Sequence, residues 1–434
     1  MPDGPIAVRP AEAAIGIGFF LSQTPGYSGR LKATAEEFRV REVSSYPRPV
    51  PEGPFTILRV ESWEWEQHEL ADAIGRRLGL PRRAVSWSGT KDRRAVSERL
   101  FAYRGAPPSG ELGLERVVLK DAYASRDGLV LGQHYANVFD LRVSDLADPT
   151  AAVTAYRATE AELRTHGGFP NFFGPQRFGE VRPITHEVGR ALVRGDLARA
   201  LEVYLVDRPA GMPDASGDAA RAAYAEHRDP QRALGEFPPS YRFERAILGR
   251  LARGAGPEQA LRALPFELRR LFVHAFQSYL FNRYLTDRRE AGLPLSRPVE
   301  GDHLLRLGRD GTVRARDAVE VAAENLSECV GLVERGRAYV AGPLLGAEAL
   351  PTQGRPAELV AELLRAEEID ARAFDVPVAP ELGSRGAWRP ILLPVPPLGL
   401  RPDGGGVWFT FSLPKGAYAT VLLREFLKDA SPAV

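Results

Sequence analysis

The residues with the clearest chemical potential lie in one short segment of the first hundred residues. It reads Ser88-Gly89-Thr90-Lys91-Asp92-Arg93-Arg94-Ala95 and sets one carboxylate in a glycine-containing turn among cations. Between Arg76 and Arg104, nine Lys and Arg residues stand against two acids, a local formal charge of +7 in a chain whose net charge is +1. An aspartate among cations is expected to be ionised near neutral pH, where it can act as a nucleophile or base. Because cations suit a phosphate backbone, the segment predicts a carboxylate directed at a polyanion.

Two simpler interpretations of the same segment stay open at this point. Asp92 also fits a turn position or a helix N-cap. The arginines also fit a solvated face, which is the usual environment of a run of like charges.

Composition limits the class of protein. The chain has 434 residues, 44% hydrophobic and 26% charged, which predicts two or three globular domains. No segment approaches the ~20 apolar residues of a membrane span. The apolar stretch 14–21 is short and lacks a preceding basic stretch, so we expect no signal peptide. Cys329 is the only cysteine, which excludes an intrachain disulfide and cysteine-based zinc sites and favours a reducing cytoplasm.

The common cofactor motifs do not occur in the sequence. There is no G-x-x-x-x-G-K-[ST], no convincing G-x-G-x-x-G after a strand and no G-x-S-x-G. The seven histidines show no i, i+4 pairing of the kind that binds metal. We therefore expect no nucleotide cofactor and no metal, and a cofactor-free reaction centred on a carboxylate.

The hydrophobic patterns predict strands at both ends of the chain and helices in the middle. Residues 31–43 alternate around Phe38, Val40 and Val43, which indicates a half-buried strand. Asp148-Pro149 begins a helix that Gly167-Gly168 ends. The remaining expected strands are 55–60, 99–103, 117–123, 138–143 and 407–413, and the remaining helices are 70–80, 266–290, one within 351–370, and 416–428, with 185–290 mostly helical. Because strands return after the helical middle, we expect an α+β domain of 1–195 and 393–434, interrupted by an inserted domain of 196–392.

Five segments together resemble the tRNA pseudouridine synthase D (TruD) family, in family order and across nearly the whole chain. They are 32–40 (KATAEEFRV), 88–95 (SGTKDRRA), 171–179 (NFFGPQRFG), 277–282 (QSYLFN) and 413–420 (LPKGAYAT). The resemblance implies a pseudouridine synthase fold with a twisted, mainly antiparallel sheet, plus an inserted α+β domain. It also implies tRNA as the partner, bound in a cleft between the two domains.

The resemblance implies a reaction that fits the carboxylate. Uridine becomes pseudouridine: the N1–C1′ bond breaks, the uracil turns, and C5 bonds to C1′ without a redox agent or energy source. Asp92 would be the catalytic aspartate, attacking the ribose or abstracting a proton from C2′. The target base lies inside folded tRNA and would have to be flipped out and held by stacking and edge hydrogen bonds.

The resemblance also assigns the residues that would hold the flipped nucleotide. Phe173 would stack on the uracil, and Asn171 would hold the nucleotide or a uracil edge. Phe38 and Tyr418 would line the pocket, although the family commonly has Phe at the position of Tyr418. Lys32 would contact phosphate or pair with Asp92.

The expected contacts to the RNA backbone are made by four cations: Lys91, Arg93, Arg94 and Arg177. We expect a monomer in the cytoplasm. The family's usual substrate is position 13 of tRNA. The long stretch between Gly179 and Gln277 is similar to that of expanded archaeal and eukaryotic members, and it leaves open which RNA is bound.

Two rival functions remain at this level. A non-catalytic RNA-binding protein or tRNA chaperone could use the same basic cleft. A different RNA-modifying enzyme, such as a methyltransferase, is disfavoured because its glycine-rich cofactor loop is missing.

Overall fold

The structure is a computed structural model, which describes residues 6–44, 47–89, 91–179, 182–208, 217–308 and 312–428. Its strands are β1 Arg30–Leu31, β2 Phe38–Val43, β3 Phe55–Trp63, β4 Ser86–Trp87, β5 Val96–Arg104, β6 Val117–Ser125, β7 Ala136–Ser144, β8 Phe169–Pro170, β9 His303–Leu307, β10 Val313–Glu320, β11 Ala338–Leu344, β12 Ala387–Pro390, β13 Leu392–Leu393, β14 Gly399–Asp403 and β15 Gly406–Pro414. Its α-helices are α1 Pro10–Ala13, α2 Gln67–Arg77, α3 Pro149–Thr165, α4 Thr185–Val193, α5 Leu197–Leu205, α6 Asp218–His227, α7 Pro230–Glu236, α8 Arg242–Leu251, α9 Pro257–Leu261, α10 Phe266–Glu290, α11 Leu326–Glu334, α12 Gly354–Ala366 and α13 Ala419–Leu427. No helix in these described ranges is long and apolar enough to cross a membrane.

The contacts divide the chain into two compact units. The Asp92 unit contains the described residues of Ser22–Thr165 and Pro394–Ala433, and the Phe173 unit contains those of Met1–Leu21 and His166–Leu393. This division places α4 with the Phe173 unit because Gly189 lets α4 lie directly against α10. A Cβ at Gly189 would lie 2.0 Å from the Phe272 carbonyl oxygen. The domain limits expected from the sequence place α4 on the other side of the boundary, and they stay a prediction.

A nine-stranded sheet forms the centre of the Asp92 unit. Its main path is β14-β15-β7-β2-β5-β3-β6, with β1 pairing β7 and β4 pairing β5. The recorded strand pairs are antiparallel except β2 with β5. Tyr156 of α3 packs its ring on Phe409 of β15 and on Phe426 of α13, with centroids 4.9 and 6.2 Å apart, so both helices cover this part of the sheet. The α+β class with a mainly antiparallel sheet is confirmed.

The Phe173 unit combines helices with a smaller sheet. Its four strands run in the order β10-β9-β11-β12, all antiparallel, and β8 pairs separately with β13. The long helix α10 carries buried residues on most of its circumference, from Phe272 to Arg288. A helix buried in this way is a core element rather than a surface one.

Most elements expected from the sequence are confirmed, and the differences have local causes. Helix α2 begins at Gln67 rather than residue 70 because the Glu66 carboxylate accepts from the backbone N–H groups of His68 and Glu69, which completes an N-cap. In β2 the face that buries Phe38 and Val40 also buries Glu42. The period of two therefore places Glu42, and not Val43, on the inner face, which the hydrophobic pattern alone did not predict.

Candidate active site

Asp92 lies in the coil between β4 and β5, and its carboxylate is paired with Lys32. The Lys32 Nζ is 3.0 Å from Asp92 Oδ2. The Lys32 side chain is 6% exposed, whereas that of Asp92 is 34% exposed. The pair therefore fixes the direction of the carboxylate while leaving it accessible to a ligand.

Lys32 is itself held in an unusual conformation. Its φ angle is +64°, in the left-handed region that non-glycine residues rarely adopt. Its Nζ also lies 4.6 Å from the centroid of the Phe38 ring, and this ring packs edge-on to Phe139 at 6.5 Å. Such strain costs about 1–3 kcal/mol and is concentrated at functional sites. Two of the residues expected in the substrate pocket, Lys32 and Phe38, are thus in contact with each other, and one of them touches Asp92.

The side chain of Lys91 is buried and pairs with Glu42 rather than with Asp92. Its Nζ is 3.0 Å from Glu42 Oε2, and the two side chains are only 4% and 1% exposed. The Ser88 hydroxyl also donates to the Glu42 carboxylate. Burial lowers the pKa of Lys91, and Glu42 acts in the opposite direction. The sequence placed Lys91 among the phosphate contacts; the structure places its ammonium against Glu42 instead, so we leave it out of those contacts.

The backbone of Ser88 anchors this turn to a neighbouring loop. The Ser88 carbonyl accepts from the Gly132 N–H at 2.6 Å and from His134 Nδ1 at 3.2 Å. Burial, then the charge of Lys91, lowers the pKa of His134. Lys415 Nζ donates to the Gly132 carbonyl at 2.7 Å. The segments 88–95 and 413–420, which are far apart in sequence, therefore meet at the loop containing Gly132.

The other cations of the run are spread over different environments. Arg93 is exposed, and Arg94 donates to the Ala33 carbonyl at 2.9 Å. Arg99 is buried and donates to Gln67 Oε1 at 2.6 Å, and its burial lowers the pKa to about 10. The cations that are close together in the sequence therefore do not form one basic face.

Tyr418, the other aromatic residue expected in the pocket, is half-buried at the N-cap of α13.

In the Phe173 unit, the backbone of Phe173 is held by one side chain of α10. Asn282 Oδ1 accepts from the Phe173 N–H at 2.8 Å, and its Nδ2 donates to the Phe173 carbonyl at 3.0 Å and to the Ile15 carbonyl at 2.9 Å. Phe173 as a whole residue is 7% exposed, and its ring meets that of Phe281 edge-on with centroids 5.6 Å apart. The family segment 277–282 includes Asn282, but the sequence did not predict that Asn282 positions Phe173.

Asn171 contacts a residue that the sequence analysis missed. Its Oδ1 and its backbone carbonyl accept from Arg389 at 2.7 and 3.1 Å, and its Nδ2 donates to the Pro390 carbonyl at 2.9 Å. The Arg389 guanidinium carbon lies 4.0 Å from the centroid of the Phe173 ring. Asn171 therefore positions Arg389 on Phe173. No pattern in the sequence pointed to Arg389, which lies more than 200 residues further along the chain.

A cavity of about 290 Å³ lies beside Phe173. Arg177, His274 and Ser278 also line it, and Arg177 Nε donates to the Ser278 hydroxyl at 3.1 Å. Burial, then the charge of Arg177, lowers the pKa of His274 to about 4, so this imidazole is neutral at pH 7. An aromatic ring, a cation and a neutral hydrogen-bonding group together suit a nucleotide. Within the part of the chain that the structure describes, no three His, Cys, Asp or Glu side chains come close enough to hold a metal ion.

The comparisons with known proteins agree with one another. The family model of tRNA pseudouridine synthase D (TruD) matches residues 14–426. A Halobacterium salinarum protein named "Probable tRNA pseudouridine synthase D" is 37% identical over 98% of this chain and 99% of its own length. A Pyrococcus abyssi protein of the same name is 35% identical over 94% of this chain and 98% of its own. A Methanosarcina mazei crystal structure that carries the tRNA pseudouridine synthase D name superimposes with a TM-score of 0.82 at 31% identity, covering 98% of this chain and 99% of that one. The resemblance and the fold class expected from the sequence are confirmed, and the chain belongs to the tRNA pseudouridine synthase D family.

Proposed function

We propose that this chain isomerises uridine to pseudouridine in tRNA, with Asp92 as the catalytic residue. The observation that carries the proposal is the Asp92 carboxylate, which Lys32 orients at 3.0 Å and which remains accessible. Membership of a family of synthases favours this activity over a non-catalytic RNA-binding role.

The reaction needs a carboxylate and no external electron source. The N1–C1′ bond breaks, the uracil turns, and a C5–C1′ bond forms; C5 then loses its proton and N1 gains one, so the product is an isomer of the substrate. The ionised carboxylate can attack C1′ or remove a proton from C2′. Both routes need an accessible oxygen at a fixed position, and both stay open.

Lys32 supports either route as a positioning residue. Its buried stem and its contact with Phe38 restrict where the ammonium can lie. The ammonium in turn holds Asp92 Oδ2, which leaves Oδ1 for the sugar. Holding a reacting group in one orientation is a large part of enzymatic rate enhancement.

The Phe173 unit is proposed to hold the flipped base. Phe173 offers an aromatic ring beside a cavity, and stacking on such a ring is worth about 1–3 kcal/mol per base. Asn171 is proposed to hold the flipped nucleotide or a uracil edge, and it also directs the Arg389 guanidinium at this ring. Arg177 lines the same cavity and is proposed to contact RNA phosphate.

The Asp92 unit is proposed to supply the other contacts. Phe38 and Tyr418 line the substrate pocket, and Arg93 and Arg94 contact phosphate. We further propose position 13 of tRNA as the target, a monomeric enzyme and a cytoplasmic location, where its tRNA substrate would be found.

The deciding experiment compares Asp92→Asn with Asp127→Asn, which changes an exposed aspartate of the same unit. Pseudouridine formation is measured by tritium release from tRNA labelled at C5 of uridine. Asp92→Asn should release no tritium yet bind tRNA within about two-fold of the wild type, because phosphate contacts dominate affinity. Asp127→Asn should match the wild type in both assays.

Two results would overturn parts of the proposal. Tritium release by Asp92→Asn would remove Asp92 from the chemistry. A wild-type protein that binds tRNA but releases no tritium would support the non-catalytic alternative. Mapping the modified nucleotide in tRNA transcripts tests position 13 separately.

A further inference from the structure

We propose that Val130 and Leu131 form a wedge that enters the tRNA base stack and fills the space left by the everted uridine. The inference rests on the proposed function, since it needs a base that leaves the stack. It concerns a loop to which neither the sequence motifs nor the comparisons assign a role.

The two side chains are unusually exposed for their type. Val130 is 68% and Leu131 66% exposed, whereas the preceding residue, Leu129, is buried in a cluster with Ile57 and Leu100. Tight turns favour Gly, Pro, Asn, Asp and Ser. Two adjacent apolar side chains at a turn therefore need an explanation that a single exposed leucine would not.

The turn that carries them is held by hydrogen bonds within it. The Gln133 N–H donates to the Val130 carbonyl at 3.1 Å, and the Val130 N–H donates to Gln133 Oε1 at 3.0 Å. Gly132 has a φ angle of +83°, which allows the chain to reverse here. The apolar tip, defined as Val130 and Leu131, is thus presented from a hydrogen-bonded turn whose preceding residue, Leu129, is anchored in the core.

The same turn is bonded directly to the segment that carries Asp92. The Gly132 N–H and His134 Nδ1 both donate to the Ser88 carbonyl, at 2.6 and 3.2 Å. Lys415 Nζ fixes the other side of the turn through the Gly132 carbonyl. Hydrogen bonds to Ser88 therefore connect the turn that carries the apolar tip with the segment that carries the carboxylate.

The surroundings favour RNA over other occupants. The exposed charged residues near the tip in sequence or in hydrogen-bonded structure are two cations, Arg126 and Lys415, and one acid, Asp127, and the cations suit phosphates. Two side chains are too few for a stable protein interface, which buries about 1,200–2,000 Å². Proteins that unstack nucleic acid commonly insert such apolar side chains between bases. The wedge stabilises the open stack and thereby the everted state of the target.

The test uses the full-length protein and folded tRNA that carries 2-aminopurine next to the target uridine. Binding of the wild type should raise the fluorescence, because the reporter loses a stacking partner. The double variant Val130→Ser with Leu131→Ser should lose most of this rise and form pseudouridine about ten-fold more slowly, since unstacking is no longer compensated. Its tRNA affinity should stay within about three-fold, because phosphate contacts are unchanged.

Two further variants make the result specific. Val118→Ser changes another exposed valine, on β6, and should behave as the wild type. Val130→Ile with Leu131→Met keeps the apolar tip and should restore both fluorescence and rate. If the serine double variant melts at a lower temperature than the wild type, the single variant Leu131→Ser replaces it in both assays.

The outcomes separate the wedge from the proposed function. A serine double variant with wild-type fluorescence and rate overturns the wedge alone, whereas a wild type that forms no pseudouridine overturns the proposed function. If the variant keeps its rate but loses binding to phosphatidylserine vesicles or loses self-association, the tip serves another surface and the wedge is wrong.

Discussion

The surroundings of Asp92 and of Phe173 are built in opposite ways. Asp92 is a third exposed and is directed by an ion pair. Phe173 is nearly buried, with its backbone bonded to Asn282 and its ring in contact with Arg389 and Phe281. A reacting oxygen must keep access to its substrate, whereas a stacking ring needs a fixed plane and one face that the base can reach. Changes near Asp92 should therefore affect activity more than folding, and changes near Phe173 should affect both.

The ion pair of Lys91 with Glu42 is buried although Lys91 adjoins Asp92 in the chain. The ion pair of Lys32 with Asp92, by contrast, leaves the Asp92 carboxylate accessible to solvent. A buried ion pair therefore stabilises the turn around Asp92.

The largest expected effect follows from breaking this buried pair. Glu42→Gln leaves the Lys91 ammonium buried without its counter-charge, and it should lower the free energy of unfolding by about 3–5 kcal/mol. Glu98→Gln, which breaks the more exposed pair with Arg59, should cost less than about 1 kcal/mol. Urea denaturation followed by circular dichroism measures both.

A double variant tests the cause. Adding Lys91→Met to Glu42→Gln removes the unpaired charge and should recover most of the lost stability. If Glu42→Gln alone is no worse than Glu98→Gln, the turn does not depend on this pair.

The next effect concerns the support of Phe173. Asn282→Ala leaves the N–H and carbonyl of Phe173 and the carbonyl of Ile15 without this partner, so it should cost about 2–4 kcal/mol of unfolding free energy. It should also raise KM for tRNA. Arg283→Ala, on the same helix, breaks only a half-exposed pair with Asp287 and should change little.

The comparison would fail if Asn282→Ala left both KM and the free energy of unfolding unchanged. In that case Phe173 would be positioned by its ring contacts alone.

The effect that is smallest at pH 7 is a pH dependence from His274. Burial and Arg177 lower its pKa from 6.5 to about 4, so the folded protein holds the neutral imidazole and protonation favours the unfolded chain. The contribution of His274 to stability is complete above about pH 6.5 and is lost as the pH falls toward 4. His274→Gln should therefore flatten the decline of the urea midpoint between pH 6.5 and 4.

His68→Gln, which changes an exposed histidine of α2, should follow the wild-type curve. If the curve of His274→Gln also runs parallel to that of the wild type, the imidazole is not held neutral by the fold.

The sequence predicted the elements with strong local signals. Asp148, Pro149 and the glycine pair marked α3, and the three-and-four spacing of apolar residues marked α10 over its full length. The small sheet of β9 to β12 was not predicted strand by strand, because its pairing joins residues far apart in the chain, such as Ala341 with Pro390. Local patterns carry no information on such pairing.

The sequence by itself determined the family, the class of fold and the position of Asp92 in a cation-rich turn, because each of the motifs and hydrophobic patterns behind them is a run of consecutive residues. Only the tertiary structure decided where each charge points: Lys32 toward Asp92, Lys91 toward Glu42, Arg99 into the core. It also brought Arg389 to Phe173 and the Val130 turn to Ser88. The physical reason is that burial and ion pairing are set by groups distant in sequence, and a side chain's charge does not reveal its partner.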